Sequence, residues 1–216
     1  INPGMNILLV LGGESPSAAL LNEVVPKADY VIGVDSGIDI LQENGHHADL
    51  FIGDMDSCAS NEIKTSQSLH LRDQNTSDLQ KALHHIQVNL PVTSLTIVGG
   101  GGGRTDHLIN NLHICADFME TVEIVFINDH FQETPTLREY IYRKTPSSVS
   151  DLRVRTGATL SIFTLSEVTG LTVRGLKWDI KCSDHCAGLI SQSNLTVVDN
   201  PKVTIRSGCI YITVYQ

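Results

Sequence analysis

Two textures of apolar and polar positions divide the chain near residue 130. Before that point, short apolar runs alternate with stretches of helical period. NILLVLGG at 6–13 precedes SAALLNEVV at 17–25, YVIGVD at 30–35 precedes GIDILQEN at 37–44, and LFIGD follows at 50–54. This alternation predicts βα units feeding a mostly parallel sheet. A helix is predicted from about residue 77, where Leu79, Ala82, Leu83 and Ile86 fall at i, i+3, i+4 and i+7 and Ser77 with Gln80 makes a capping box. SLTIVGG at 94–100 reads as a buried strand running into glycines. The helix expected after it has Leu108, Leu112, Cys115 and Met119 on its apolar face and Thr105 as N-cap. EIVFIND at 123–129 reads as the last strand of the series.

After RKTPSSVS at 143–150, no long helical period remains. LRVRTGATLSIFTL, VTGLTVRGLKWDI, KVTIRS and CIYITVY are rich in Thr, Val and Ile, alternate with period two and are separated by Gly, Asn and Pro. They predict a small all-β domain of sandwich or barrel type. The expected division is an α/β domain over 5–130 and an all-β domain over 131–216, with Met5 read as the start and the four residues before it set aside.

Composition changes this picture little. Hydrophobic residues make up 41% and charged residues 18%, as in a folded globular protein. The formal charge of −9, with no cluster of Lys and Arg, excludes general nucleic-acid affinity. ILLVL at 7–11 is too short to cross a bilayer and carries no leader pattern before it, so a cytoplasmic protein is expected. Five cysteines do not form a disulfide framework, and reduced thiols are expected. Cys182, His185 and Cys186 have some of the spacing of a zinc site, but with three ligands and no second Cys-x-x-Cys they read as structural residues near a turn.

The candidate chemistry gathers past the ends of the first-half strands. Asp35 ends YVIGVD, Asp54 and Asp56 follow LFIG, and Asp106 follows the glycines; Asp78 stands at a helix N-terminus. Any one of these could be an ordinary cap. As a set they belong in one crevice, because open parallel sheets bind ligands outside the carboxyl ends of their strands. Carboxylates crowded there repel unless a cation sits among them, and hard oxygen donors such as Asp54 and Asp56 favour Mg²⁺ or Mn²⁺. Magnesium takes one or two carboxylates plus phosphate oxygens, which implies a phosphorylated ligand. GGGGGRTDH at 99–107 fits that ligand. Backbone N–H groups of a glycine turn and a helix N-terminus attract anions, Gly101, Gly102 and Gly103 let phosphate approach, and Arg104 offers a fork of donors. Neither a Walker A loop nor GxGxxG is matched.

With GDMDS at 53–57, DQNTSDLQKAL at 73–83, GGGGGRTDHLINN at 99–111, GLKW at 175–178 and Ser193-Asn194, in this order over nearly the whole chain, the sequence resembles the thiamine pyrophosphokinase family. The resemblance implies an α/β catalytic domain that binds ATP and Mg²⁺ and a β-sandwich domain that binds thiamine. It also implies a homodimer with the active site between subunits. The implied reaction moves the terminal diphosphate of ATP to the hydroxyl of thiamine, giving thiamine diphosphate and AMP. Carried over, Asp54, Asp56 and Asp78 would hold magnesium, Asp35 and Asp106 would stand near the same phosphates, and Gln74 and Arg104 would contact the diphosphate. Trp178 would stack on thiamine, a role suited to a cationic heteroaromatic ring, and Ser193 and Asn194 would meet its aminopyrimidine. His107 either joins the phosphate site or orients the loop. The family's Asp-Gly-Gly is Asp35-Ser36-Gly37 here, and its Thr-Asp is Ser77-Asp78. Two other readings share the motifs: a kinase or nucleotidyltransferase for another small alcohol, and a nucleotide-sensing module without turnover.

Overall fold

The apolar run at the start of the chain becomes β1 (Met5–Val10), in which Ile7, Leu8, Leu9 and Val10 are all buried, as a central strand covered on both faces requires. A computed structural model of the chain describes residues 4–53, 65–70, 75–101, 103–129, 137–148 and 152–216. The chain divides into two compact units, 1–114 and 115–216.

In the first unit β1 is followed by α1 (Ala18–Val24), β2 (Tyr30–Val34), α2 (Gly37–Glu43), β3 (Ala48–Gly53), β4 (Thr65–His70), α3 (Asp78–Asn89), β5 (Val92–Val98) and α4 (Thr105–Ala116), whose last turn crosses the division. The strands are parallel in the order β5-β1-β2-β3-β4. From β1 the chain moves outward through β2 to β4, then returns to lay β5 on the other side of β1. That reversal opens a crevice at the carboxyl ends of β1 and β5.

Helix starts follow local rules. Ser17 Oγ accepts from Leu20 N at 2.9 Å. The capping box of α3 is present in full: Gln80 N donates to Ser77 Oγ at 3.2 Å and Ser77 N to Gln80 Oε1 at 2.8 Å. Leu79, Ala82, Leu83 and Ile86 are buried, as their spacing predicts. Two expectations for α4 are corrected. Thr105 is its first residue rather than its cap, and Met119 lies beyond the helix end and is exposed, while Leu112 and Cys115 are buried.

The second unit contains β6 (Glu123–Asp129), β7 (Arg138–Lys144), β8 (Thr159–Thr164), β9 (Val168–Arg174), β10 (Ile180–Cys186), β11 (Leu189–Leu195), β12 (Lys202–Thr204) and β13 (Ile210–Tyr215). One layer runs β11-β8-β13-β7-β6 and the other β10-β9-β12, with antiparallel pairing throughout. Leu160, Ile162, Leu171, Val173, Ile212 and Val214 are among the residues of its core. The all-β expectation is met by a sandwich. β6, read from the sequence as a strand over 123–129, is one and pairs antiparallel with β7.

Arg143 is buried, and its guanidinium donates to the carbonyls of Cys115, Phe118 and Met119 at 2.7–2.8 Å and to that of Val122. A cation among carbonyls at a helix end satisfies acceptors that the helix leaves open. Burial raises the Cys115 thiol to about 12 and that of Cys209 to about 11, so both stay protonated. Cys182 and Cys186 form a disulfide across a bulge in β10, which corrects the expectation of reduced thiols for this pair. Their neighbour His185 pairs through Nδ1 with Glu167 Oε1 at 2.8 Å.

Candidate active site

At the carboxyl ends of β1, β2 and β5 lies a cleft of ≈ 730 Å³. The turn after β1 contributes Gly12, Gly13 and Glu14, the turn after β2 contributes Asp35, the start of α3 contributes Ser77 and Asp78, and the glycine turn contributes Gly99, Gly100, Gly101 and Gly103. Arg104, His107 and Asn111 complete its wall from the α4 side. Of the residues singled out in the sequence, Asp35, Asp78, Gly101, Gly103, Arg104 and His107 are thus brought together. Asp54, Asp56, Gln74 and Gly102 lie outside the described residues.

Close approach of two turns explains the glycines. A Cβ on Gly99, whose φ is +69°, would lie 2.2 Å from the Leu11 carbonyl oxygen. Leu11 N donates to Val98 O and Gly13 N to Gly99 O, both at 2.9 Å, so the turn after β1 and the turn after β5 are stitched back to back. That first turn was missed from the sequence, although the Gly-Gly directly after the first strand was its signal. Gly12 also accommodates the departure at Ser36, since a Cβ there would fall 1.9 Å from Ser36 Oγ.

Charge is arranged unevenly around the cleft. Asp35 takes a left-handed backbone with φ 51°, a conformation aspartate tolerates better than most residues, and its N–H donates to Ile52 O at 2.8 Å. Asp78 Oδ1 accepts from Lys81 Nζ at 2.9 Å; the lysine side chain is only 8% exposed. Asp106 is not part of the lining. Its carboxylate takes Arg104 Nε at 3.1 Å and Nη2 at 2.5 Å, and the two side chains are 63% and 71% exposed. The guanidinium holds the Asp106 carboxyl below the usual carboxylate range, chiefly through this hydrogen bond. Among the described residues no group of three or more His, Cys, Asp and Glu side chains could hold a metal ion. The donor set nevertheless suits magnesium, because Asp35 and Asp78 bring hard carboxylate oxygens to the cleft.

In the second unit, Trp178 is 59% exposed and Lys177 Nζ sits 4.7 Å from its ring centroid. Asn194 is 2% exposed, and its amide is fully engaged. Nδ2 donates to Trp178 O at 2.8 Å and Ser191 Oγ at 3.1 Å, while Oδ1 accepts from Trp178 N at 3.3 Å and Leu195 N at 2.9 Å. Ser193 has φ 51° and donates its N–H to Ser161 Oγ at 2.9 Å. Asn194 therefore grips both backbone groups of the tryptophan and leaves the indole in solvent.

A cleft lined by glycine-turn backbone, Asp35, Asp78 and Arg104 at the switch point of a parallel sheet, followed in the chain by an antiparallel sandwich, suits a protein of the phosphate-transferring class. Family models agree with this class. The model of "Thiamin pyrophosphokinase, catalytic domain" matches residues 21–126, and that of "Thiamin pyrophosphokinase, vitamin B1 binding domain" matches 149–210. The chain belongs to the thiamin pyrophosphokinase family, and membership carries an enzymatic activity, thiamine diphosphokinase, with ATP as co-substrate.

Solved structures share its fold. A thiamin pyrophosphokinase family protein from Enterococcus faecalis is 23% identical with TM-score 0.72, covering 98% of this chain and 99% of that one. The thiamine pyrophosphokinase of Bacillus subtilis is 19% identical with TM-score 0.75, covering 97% and 98%. That of Candida albicans is 19% identical with TM-score 0.74, covering 98% and 89%. A sequence search of curated proteins gives no match.

Proposed function

We propose that the chain performs its family's reaction with the diphosphate of ATP held in the cleft after β1 and β5 and with thiamine held against Trp178. The observation that carries this reading is the convergence of Asp35, Asp78, Arg104 and the glycine turn on one cleft. The thiamine hydroxyl oxygen bonds to the β-phosphorus, the bond from that phosphorus to the α,β-bridging oxygen breaks, AMP leaves, and the hydroxyl proton passes to a cleft carboxylate. Positioning and electrostatic stabilisation dominate phosphoryl transfer, so the glycine-turn amides and Arg104 act by meeting charge on the moving phosphoryl oxygens.

Asp78, with Asp54 and Asp56, is proposed to hold Mg²⁺, with Asp35 and Asp106 near the same phosphates and Gln74, Gly101, Gly102, Gly103, Arg104 and His107 along the diphosphate. The bound metal would neutralise charge on phosphate oxygens and orient them. Lys81 fixes the Asp78 carboxylate for this task. Arg104 is held by Asp106 in the free protein and would exchange that partner, wholly or in part, for phosphate oxygens.

At the thiamine site, the exposed indole offers a face that Lys177 covers in the free protein and that a thiazolium or aminopyrimidine cation would take over. Ser193 is proposed to meet the aminopyrimidine, and Asn194 serves the platform by fixing the Trp178 backbone. We also propose the domain assignment 5–130 for ATP and magnesium and 131–216 for thiamine, a homodimer with the active site between subunits, and a cytoplasmic location. No helix among the described residues is long and apolar enough to cross a membrane.

The test is to incubate the purified protein with ATP, Mg²⁺ and thiamine and to separate the products. AMP and thiamine diphosphate, dependent on metal and thiamine, are expected. ADP with thiamine monophosphate would make it an ordinary kinase, and no thiamine-dependent product would leave another small alcohol as acceptor or the binding-module reading.

A further inference from the structure

We propose that Asn111 is a positioning residue of the diphosphate site, holding the Gly100–Gly101 peptide so that its N–H rather than its carbonyl is the group a diphosphate meets. The inference rests on the assignment of the cleft to the diphosphate.

Three successive carbonyls, from the last residue of β5 into the glycine turn, are each tied to a donor of the protein. Val98 O accepts from Leu11 N and Gly99 O from Gly13 N, both at 2.9 Å, and Gly100 O accepts from Asn111 Nδ2 at 3.1 Å. The first two donors are backbone groups of the turn after β1. The third is a side chain, half-buried on α4 two turns into the helix and itself part of the cleft wall.

The third carbonyl is also the one most in need of a tether. A trans peptide points its N–H opposite its carbonyl, so the direction of Gly100 O fixes that of Gly101 N–H. Glycine on both sides of this peptide makes rotation of the whole unit cheap, because glycine reaches positive and negative φ almost equally. A rotated peptide would turn the negative end of its dipole toward phosphate oxygens and withdraw a donor. Asn111 selects the orientation that an anion requires, and it does so before the ligand arrives.

The experiment measures binding of inorganic diphosphate with Mg²⁺ by calorimetry to the full chain and to Asn111→Ala, Asn111→Asp and Asn111→Gln, with the thiamine KM and the melting temperature recorded for each. Loss of one hydrogen bond that orients a donor to an anion should weaken diphosphate binding about tenfold in Asn111→Ala. Asn111→Asp, isosteric but unable to donate, should lose more, and Asn111→Gln, which keeps the amide, should recover most of the affinity. Thiamine KM and melting temperature should stay near wild type. Undiminished diphosphate affinity in both the Ala and Asp variants would overturn the proposal, as would a parallel loss of diphosphate and thiamine binding, which marks a merely structural residue. If Asn111→Ala does not fold, the Asp and Gln pair decides alone. Failure of the wild-type protein itself to bind magnesium diphosphate would instead strike the phosphate assignment on which the inference stands.

Discussion

The glycine-turn cleft and the Trp178 platform, the two proposed ligand sites, are made rigid in opposite ways. In the cleft the rigid part is backbone: two glycine turns stitched together by Leu11 N and Gly13 N, with Arg104 and Asp106 standing largely in solvent above them. At the platform the rigid part is a side chain, the buried amide of Asn194, and the group left exposed is the indole. The difference teaches where function and stability separate. Exposed cleft residues can be changed at little cost to the fold, whereas the amide under Trp178 cannot.

The sharpest way to break this contrast is Asp78→Asn. The substitution keeps shape and removes the charge proposed to hold magnesium, so turnover should fall by about a thousandfold, with a smaller fall in melting temperature because the buried Lys81 loses its carboxylate partner. Retained turnover would remove Asp78 from the metal site. Next in size, Arg104→Ala should lower kcat/KM for ATP by about a hundredfold and leave thiamine KM alone. Its exposed ion pair contributes little to stability. Because Arg104 lowers the Asp106 pKa, whatever the pair contributes is present above the ordinary carboxylate pKa and lost as pH falls through the depressed one. The small difference in melting temperature between wild type and Arg104→Ala should therefore vanish in strong acid.

The smallest kinetic effects, and the most telling contrast, come from the platform. Trp178→Ala should raise thiamine KM about tenfold without loss of stability, since stacking on a cation is worth ~1–2 kcal/mol and the ring is mostly in solvent. Asn194→Ala should raise the same KM only a few-fold but cost about 2–4 kcal/mol of stability, because buried donors and acceptors lose their partners. Equal stability losses in the two variants would show that the indole is packed as core and would dissolve the contrast.

Much of the first unit was legible because its signals are local. The β1 run, the capping box of α3 and the burial of Leu79, Ala82, Leu83 and Ile86 depend on residues a few positions apart. β4 was missed because it lies at the edge of the sheet and carries polar residues with no apolar alternation, and β7, β10 and β11 for want of an apolar run as clear as those of β8, β9 and β13. What the glycines of the second turn avoid is a backbone nearly ninety residues earlier in the chain, which no local pattern announces. The same holds for Arg143, whose four carbonyl partners lie more than twenty residues back, and for the Cys182–Cys186 disulfide, which depends on a bulge in β10. Residues that converge on the cleft were legible where their chemistry is conspicuous, as in Asp35, Asp78 and Arg104. Asn111, an ordinary helix residue by composition, became visible only through the carbonyl it holds.

The most direct test of the central claim is to follow an oxygen isotope placed in the bridge between the α- and β-phosphorus of ATP through one round of reaction with thiamine and Mg²⁺, reading the products by mass spectrometry. Attack at the β-phosphorus breaks the bond on the far side of that oxygen, so the label should appear in AMP. Label retained in ADP would mean attack at the γ-phosphorus, and label released in diphosphate would mean nucleotidyl transfer at the α-phosphorus; either result would contradict the account.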